Sequence, residues 1–230
     1  MSSILIVGGG SGIGLACAEL ALENHWLVVI AGRSEERLLA AKEKLGDVRT
    51  ISFDAYNLNK ARAALGDLDV EAVVATSGSD AGAVPSAAMS ASGIVQAIET
   101  KAGSQLMVLQ AAKDTLSSLS SMTFVTGALA RKPAPGMAPL IAANAVLETL
   151  TPVLAKELAP VRVNSVSPGF VETPIYASLG EKERAEMTEA MKQASPLGRN
   201  ATPRDVAGAV WFSVTNQSVN GAVLPLDTGI

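Results

Sequence analysis

The sequence is poor in the side chains on which most enzyme chemistry depends. Its 230 residues include one cysteine, one histidine and two tyrosines, and aromatic residues make up only 3% of the chain. The single cysteine, Cys17, excludes an internal disulfide and favours the reducing cytoplasm as the compartment. We expect no metal site.

Charge and long apolar runs are also scarce. Charged residues make up 17% of the chain and the formal net charge is −4, which argues against a general nucleic-acid-binding surface. No uninterrupted apolar run reaches the ~18 residues of a membrane helix, and the first residues lack the basic region of a signal peptide. The 48% of apolar residues predicts a sheet buried on both faces, or broad subunit contacts.

Short β-rich runs alternate with longer helical patterns, which is typical of a parallel sheet with crossover helices. Strands are predicted at 4–8, 27–31, 48–53, 72–75, 122–126, 161–166 and 222–225, and helices at 12–23, 34–45, 58–65, 93–119, 137–158 and 203–214. Thr202, followed by Asp205, predicts a helix N-cap, whereas Pro152 inside a predicted helix indicates a kink or a break. No repeat or linker divides residues 1–230. We expect a single α/β domain with a doubly wound parallel sheet of about seven strands and helices on both faces.

A glycine-rich turn follows the first predicted strand. The segment Ile-Leu-Ile-Val-Gly-Gly-Gly-Ser-Gly-Ile-Gly at 4–14 leads from a strand through this turn into a helix. Gly8, Gly12 and Gly14 let the backbone approach a pyrophosphate without Cβ clashes, and the helix N-terminus offers free N–H groups and a partial positive charge. Strand, turn and helix in this order favour a dinucleotide site over the alternative of a purely structural turn.

The spacing Gly8-x-x-x-Gly12-x-Gly14 resembles that of the short-chain dehydrogenase/reductase superfamily, and further segments extend the resemblance over nearly the whole chain. These are Asp54 after the third strand, Ser-Pro-Gly-Phe-Val-Glu-Thr-Pro at 167–174, Pro-Leu-Gly-Arg-Asn-Ala-Thr-Pro-Arg-Asp-Val at 196–206 and Leu-Pro-Leu-Asp-Thr-Gly at 224–229. The resemblance implies a Rossmann fold, a nicotinamide cofactor and a substrate loop at about 172–197 that includes a charged helical flap. It also implies a homodimer or homotetramer, because two long apolar helices match those that pair subunits in the family.

The end of the second predicted strand bears on which cofactor is bound. Gly32 is followed by Arg33 and Ser34, at a place where NAD-preferring folds usually carry an acidic residue. A carboxylate would repel a 2′-phosphate, whereas a guanidinium can pair with it through two hydrogen bonds. We therefore expect NADP(H); the alternative is that Arg33 is a solvated loop charge.

The resemblance implies cofactor contacts from several regions of the chain. They are Gly8, Gly10, Ser11, Gly12, Ile13, Gly14, Arg33, Ser34, Asp54, Ala55, Thr76, Ser77, Gly78, Asn144, Pro168, Gly169, Val171 and Thr173. Among these, Asp54 would accept a hydrogen bond from the adenine amino group. Pro168, Gly169, Val171 and Thr173 would flank the nicotinamide.

At the reacting centre the chain departs from the family pattern. Family members that reduce carbonyls use a Tyr-x-x-x-Lys pair, a serine and an asparagine, with the tyrosine as proton donor. Here Leu140 stands at the tyrosine position and Asn144 at the lysine position, while Gly127 replaces the serine and Lys101 the asparagine. No displaced set is available. The Tyr56/Lys60 pair has the right spacing but lies near the adenine end, and His25 lies at the far end of the first helix.

Three residues remain as candidates for catalysis. Lys101 can project into the vacated space, where burial would lower the pKa of its amine; alternatively it pairs with an acid or reaches solvent. Tyr176 can swing in on the substrate loop, or it forms a pocket wall. Thr126 can retain part of the serine's hydroxyl function, and Asn144 can still hydrogen-bond to the nicotinamide ribose.

Three functions are consistent with these features. The first is an NADP(H)-dependent oxidoreductase of non-standard mechanism, in which hydride transfer relies on positioning and the small-molecule substrate is already cationic or polarised, as in an iminium or a quinone-like acceptor. The second is a catalytically inactive NADP(H)-binding sensor or partner subunit. The third is a non-redox elimination or isomerisation on the same scaffold, since a fold does not determine a function. The retained substrate loop and cofactor frame favour the first.

Overall fold

The computed structural model describes residues 2–78, 88–177 and 179–230, and in these ranges strands and helices alternate along the chain. The strands are β1 (Ser3–Val7), β2 (Leu27–Gly32), β3 (Arg49–Ser52), β4 (Ala72–Ala75), β5 (Ser121–Val125), β6 (Arg162–Pro168) and β7 (Val223–Leu226). The α-helices are α1 (Gly12–Glu23), α2 (Glu35–Leu45), α3 (Leu58–Leu65), α4 (Ala91–Ala97), α5 (Ser104–Thr115), α6 (Ala138–Glu157), α7 (Glu181–Ala194) and α8 (Pro203–Thr215). A π-helical turn, Ile98–Gly103, joins α4 to α5, and short 3₁₀ turns occupy Ala128–Ala130 and Pro174–Tyr176.

All seven strands form one parallel sheet in the order β3-β2-β1-β4-β5-β6-β7. One face is covered by α3, α5 and α6, which pack on residues such as Leu5, Val73 and Phe124. The other face is covered by α1, α2 and α8, which pack on Ile6 and its neighbours. Every residue of β1, β4 and β5 is buried, because helices on both faces exclude water from the central strands. The doubly wound fold predicted from the sequence is confirmed.

Element bounds follow the prediction closely where the sequence contains its own stop signals. The bounds of α1, α3 and β4 agree with those predicted, and most other ends differ by a residue or two. Thr202 and Asp205 form a reciprocal capping box at the start of α8, as expected from their spacing.

Two helical features differ from the prediction. The helix expected at 93–119 begins at Ala91, ends at Thr115 and contains the π-helical turn in its middle. Of the two alternatives at Pro152, a break is wrong, because α6 continues through this residue. Leu147, Thr151 and Ala155 are buried along the same helix, so packing on the sheet stabilises it on both sides of the proline.

One helix also departs from the expectation that no segment suits a membrane. The 20 residues of α6, with a mean hydropathy of 1.4, are long and apolar enough to cross a bilayer by length and composition. Core helices pass the same test, and α6 crosses between β5 and β6 with Ala143 and Leu147 buried against the sheet. Because 39% of its most apolar stretch is buried, the core of the fold accounts for only part of this apolar composition.

Candidate active site

The glycine-rich turn lies at the carboxyl edge of the sheet, where β1 ends beside β4. In the strand order, β1 and β4 are the neighbours from which the chain winds in opposite directions, and ligands of such sheets bind at this switch point. The backbone N–H groups of Gly8 and Gly9 both donate to Ala31 O, at 2.7 and 3.2 Å. These bonds hold the turn against the end of β2.

The turn has no room for side chains at its two closest approaches. A Cβ added to Gly14 would lie 2.2 Å from Gly8 O, and one added to Gly8 would lie 2.3 Å from Thr76 Oγ1. Gly8 also has a φ of +91°, which disfavours any residue with a side chain. Ser11, the N-cap of α1, makes no side-chain capping bond, so it leaves the first-turn N–H groups free for an anion.

Arg33 and Ser34 occupy the end of β2 beside this turn. The guanidinium of Arg33 is exposed and forms no ion pair with a residue that the structure describes. Ser34 is the N-cap of α2, and its Oγ accepts a hydrogen bond from the backbone N–H of Arg37 at 3.3 Å. Asp54 Oδ1 accepts one from Tyr56 N at 3.1 Å, which leaves the other carboxylate oxygen free. The arrangement leaves a cation and a carboxylate available at the β2–β3 edge.

The segment after β4 is held by one buried amide. Gln105 Nε2 donates to Ser77 O at 2.7 Å and to Val125 O at 3.0 Å, and so spans the ends of β4 and β5. Ser77 Oγ and Ser104 Oγ lie 3.0 Å apart. Thr76 N and Oγ1 both donate to Val7 O, which ties this segment to the glycine turn. The family resemblance pointed to this segment, whereas no sequence pattern pointed to Gln105.

The positions expected to hold the serine and the lysine are in contact. A Cβ on Gly127 would lie 3.0 Å from Asn144 Nδ2, so the absence of a side chain at 127 makes space for the amide. Asn144 Oδ1 is enclosed and has no hydrogen-bond partner among the described residues. Leu140, half-buried one turn earlier on α6, carries no proton to donate. These three positions therefore supply one vacant acceptor and no acid.

Lys101 lies in the π-helical turn, which packs against α6. Only 8% of the residue is exposed, and its Nζ makes no hydrogen bond or ion pair with any described residue. Burial lowers the pKa of this amine from 10.5 to about 8. The alternative of a lysine paired with an acid is therefore not supported. Single π-helical turns within α-helices are frequent at functional sites.

The other two catalytic candidates, Thr126 and Tyr176, already have partners in the structure. Thr126 Oγ1 donates to Glu148 Oε1 at 3.0 Å and to Val166 O at 3.2 Å, so its use in place of the missing serine is not supported. Tyr176 stacks on Phe170 with ring centroids 5.1 Å apart, and burial raises the pKa of its phenol. The stacking and the raised pKa of this phenol favour the pocket-wall alternative over the catalytic one.

The segment after β6 closes the far side of the site. Gly169 N donates to Leu226 O at 3.0 Å, and a Cβ on Gly169 would lie 3.0 Å from Asp227 Cα. Val171 forms an isolated parallel bridge with Ala201. Thr173 then returns to the glycine turn, where its Cβ lies 3.3 Å from a Cβ added to Gly12. The segment 168–173 thus runs from the end of β6 back to the start of α1.

A buried carboxylate, that of Glu148, lies behind this segment, and no sequence pattern had indicated it. The side chain of Glu148 is 8% exposed, and its Oε2 lies 3.2 Å from Arg131 Nε. Its Oε1 accepts from Ser167 Oγ at 2.5 Å as well as from Thr126. Only its position one turn after Asn144 on α6 could have signalled it.

The single histidine and the single cysteine are both poor candidates for proton transfer at the site. His25 precedes β2 and so lies at the amino edge of the sheet, opposite the glycine turn. Cys17 is buried in α1, and burial raises the pKa of its thiol to about 12, which keeps it protonated. Among residues 2–78, 88–177 and 179–230, no group of three or more His, Cys, Asp or Glu side chains is placed to hold a metal ion.

The residues present fit a dinucleotide phosphate. The cradle at Gly8 and Gly14 and the uncapped N-terminus of α1 suit a pyrophosphate. The free guanidinium of Arg33 suits a further phosphate on one side. On the other side, the unpartnered Asn144 Oδ1 suits a hydroxyl donor such as a ribose.

Comparisons with known proteins agree with this geometry. The family model described as enoyl-(acyl carrier protein) reductase matches residues 8–230. The short-chain dehydrogenase/reductase ATR9 of Stachybotrys chlorohalonatus is 31% identical over 246 residues, covering 99% of this chain and 96% of that protein.

Two solved structures superpose over almost the whole chain. The MalC reductase/Diels-Alderase of Malbranchea aurantiaca is 28% identical, with a TM-score of 0.87 and coverage of 99% of this chain and 95% of that one. A small-chain dehydrogenase in complex with NADPH is 27% identical, with a TM-score of 0.86 and coverage of 99% and 97%. With its fold, its glycine turn and these matches in agreement, the chain belongs to the short-chain dehydrogenase/reductase superfamily of oxidoreductases.

Proposed function

We propose that this protein is an NADP(H)-dependent oxidoreductase that works without the tyrosine, lysine and serine of its family's usual mechanism. The observation that carries the proposal is the contrast between the two halves of the site. The glycine cradle and Arg33 are in place, whereas Gly127, Leu140 and Asn144 leave no acid beside them.

The chain's own residues account for how the cofactor would be held. The first turn of α1 would bind the pyrophosphate, Arg33 the 2′-phosphate, Asp54 the adenine and Asn144 Oδ1 a ribose hydroxyl. When bound, NADPH supplies a hydride to the substrate. One relative of similar fold was solved in complex with NADPH, which supports the phosphorylated form.

Lys101 is the candidate for the proton. With a pKa of about 8, its amine is protonated in roughly nine molecules of ten at pH 7 and releases its proton more readily than an exposed lysine. Because Lys101 has no ion-pair partner among the described residues, its charge is available to a developing negative charge on substrate.

The substrate class follows from the missing acid. With no tyrosine to activate a simple ketone, the site favours a small molecule that is already polarised, such as an enone, a quinone or an iminium. Between these, a protonated Lys101 favours neutral enones and quinones, which develop negative charge on oxygen. The matching family model describes enoyl reductases, and the structurally similar MalC is named as both a reductase and a Diels-Alderase.

The test is to mix the protein with NADPH and panels of enones, quinones, imines and ketones, and to follow the absorbance of the reduced nicotinamide. We expect turnover with polarised acceptors that falls at least about tenfold in Lys101→Met. Lys60→Met, a change of an exposed lysine near the adenine end, is the matched control. Tight NADPH binding without turnover on any class would favour an inactive sensor or partner subunit. Failure to bind NADPH would leave a non-redox elimination or isomerisation.

We further propose that the protein is a homodimer or homotetramer in the cytoplasm. Val95 on α4 and Val153 on α6 are 51% and 45% exposed, and these two helices pack side by side. Apolar side chains on adjacent helices are what a subunit interface would cover. Light scattering should report two or four chains, and a monomer at all concentrations would refute the assembly.

A further inference from the structure

A network of hydrogen bonds around the buried carboxylate of Glu148 lies beside Asn144, on the side of the site assigned to the nicotinamide. Glu148 Oε1 accepts hydrogen bonds from Thr126 Oγ1 at 3.0 Å and from Ser167 Oγ at 2.5 Å. Glu148 Oε2 lies 3.2 Å from Arg131 Nε, and Arg131 Nη2 donates to Ser167 Oγ at 2.9 Å. Both oxygens of the Glu148 carboxylate therefore have a hydrogen-bond or ion-pair partner.

The network joins segments that are distant in the sequence. Thr126 directly follows β5, Ser167 lies near the end of β6, and Arg131 directly follows the 3₁₀ turn Ala128–Ala130. Glu148 is on α6, one helical turn after Asn144. One buried carboxylate thus connects the two strand ends, the loop between them and the helix that carries the vacant acceptor.

A second ion pair ties the next residue of the same loop to the residue that follows β7. Lys132 Nζ lies 3.3 Å from Asp227 Oδ2, and the side chain of Asp227 is 13% exposed. Asp227 packs directly against Gly169, where an added Cβ would lie 3.0 Å from Asp227 Cα. The end of β6 and the adjoining Gly169 therefore contact both pairs, through Ser167 and through Asp227.

Stability alone does not explain why the carboxylate of this pair is buried. The side chain of Glu148 is 8% exposed and that of Arg131 is 34% exposed. The cost of removing the carboxylate from water offsets much of its attraction to the guanidinium, and apolar side chains of similar volume often stabilise a fold equally well. What the pair adds is direction, because Arg131 binds both Glu148 and Ser167 through a planar guanidinium.

We propose that Arg131 and Glu148 are positioning residues for the nicotinamide half of the cofactor, and this rests on the proposed function. They set the positions of the end of β6 and of Asn144, while neither touches the adenine half at β2 and β3. Loss of the pair is expected to weaken contacts on the nicotinamide side only.

The experiment measures two dissociation constants by calorimetry, for NADPH and for 2′,5′-ADP, which fills only the adenine half. In Glu148→Gln we expect the Kd of NADPH to rise on the order of tenfold, and that of 2′,5′-ADP to change less than about twofold. Asp114→Asn, which breaks the remote surface pair of Arg62 and Asp114, should leave both constants unchanged.

A double variant separates positioning from folding. Arg131→Met with Glu148→Leu leaves no unpaired charge and should fold with a midpoint close to that of the native chain. It should show the same selective loss of NADPH affinity. Equal losses of both ligands, retained NADPH affinity, or failure of this double variant to fold would each overturn the inference. If the unaltered protein binds neither ligand, the proposed function fails, and the inference fails with it.

Discussion

Replacement of Lys101 by methionine is expected to stabilise the protein at neutral pH. Burial lowers the pKa of this amine from 10.5 to about 8, and a shift of that size corresponds to about 3 kcal/mol between its charged and neutral forms. At pH 7 the folded state bears this cost and the unfolded chain does not. Lys101→Met keeps the aliphatic length and removes the charge, so its free energy of unfolding should rise by up to about 3 kcal/mol.

The stabilisation by Lys101→Met should depend on pH. Between about pH 8 and pH 10.5 the unfolded chain binds more protons at this residue than the folded protein, so the native chain gains stability as the pH rises. The advantage of Lys101→Met should therefore be largest below about pH 8 and disappear by about pH 10.5.

Urea denaturation at a fixed protein concentration, followed by circular dichroism at about pH 7 and about pH 10, measures both quantities. Lys42→Met changes an exposed lysine on α2 and should shift stability by less than about 0.5 kcal/mol at either pH. A loss of stability in Lys101→Met at pH 7, or a gain that does not shrink with pH, would show that the amine keeps a stabilising partner in the fold. The reasoning about an unpaired buried cation would then be refuted.

Three further outcomes are expected. Arg33→Ala should raise the Kd of NADPH by roughly 10- to 100-fold and that of NADH by less than about threefold, with the exposed Arg49→Ala as control; equal losses would refute the 2′-phosphate assignment. Gly14→Ala places a Cβ 2.2 Å from Gly8 O and should cost about 3 kcal/mol or prevent folding, whereas Gly208→Ala meets nothing within 4 Å and should stabilise α8 by up to about 1 kcal/mol in thermal unfolding. Asp205→Asn should cost about 1 kcal/mol at pH 7. The hydrogen bond from Arg199 is the main cause that lowers the pKa of Asp205 from 3.8 to about 2, so this difference should vanish as the pH falls from about 4 to about 2.

Local patterns in the sequence were sufficient for the fold and for the glycine-rich turn. The glycine turn, the start of α1 and the capping box at Thr202 are encoded within a few residues, and the structure contains each of them. The order of strands and helices also follows from periodicity, because parallel strands need crossover helices.

The tertiary structure alone determined the contacts between residues that are distant in the sequence. The π-helical turn and the burial of Lys101 depend on packing against α6, which no local pattern records. The sequence position of Thr126 suggested that its hydroxyl belongs to the site. In the structure, that hydroxyl is hydrogen-bonded to Glu148 Oε1 and Val166 O. Similarly, Pro152 predicts a break that burial of the surrounding helix overrides. Residue types and spacing determined the sheet and the cofactor cradle, while long-range packing and the matching of buried polar groups determined which side chains remain free to react.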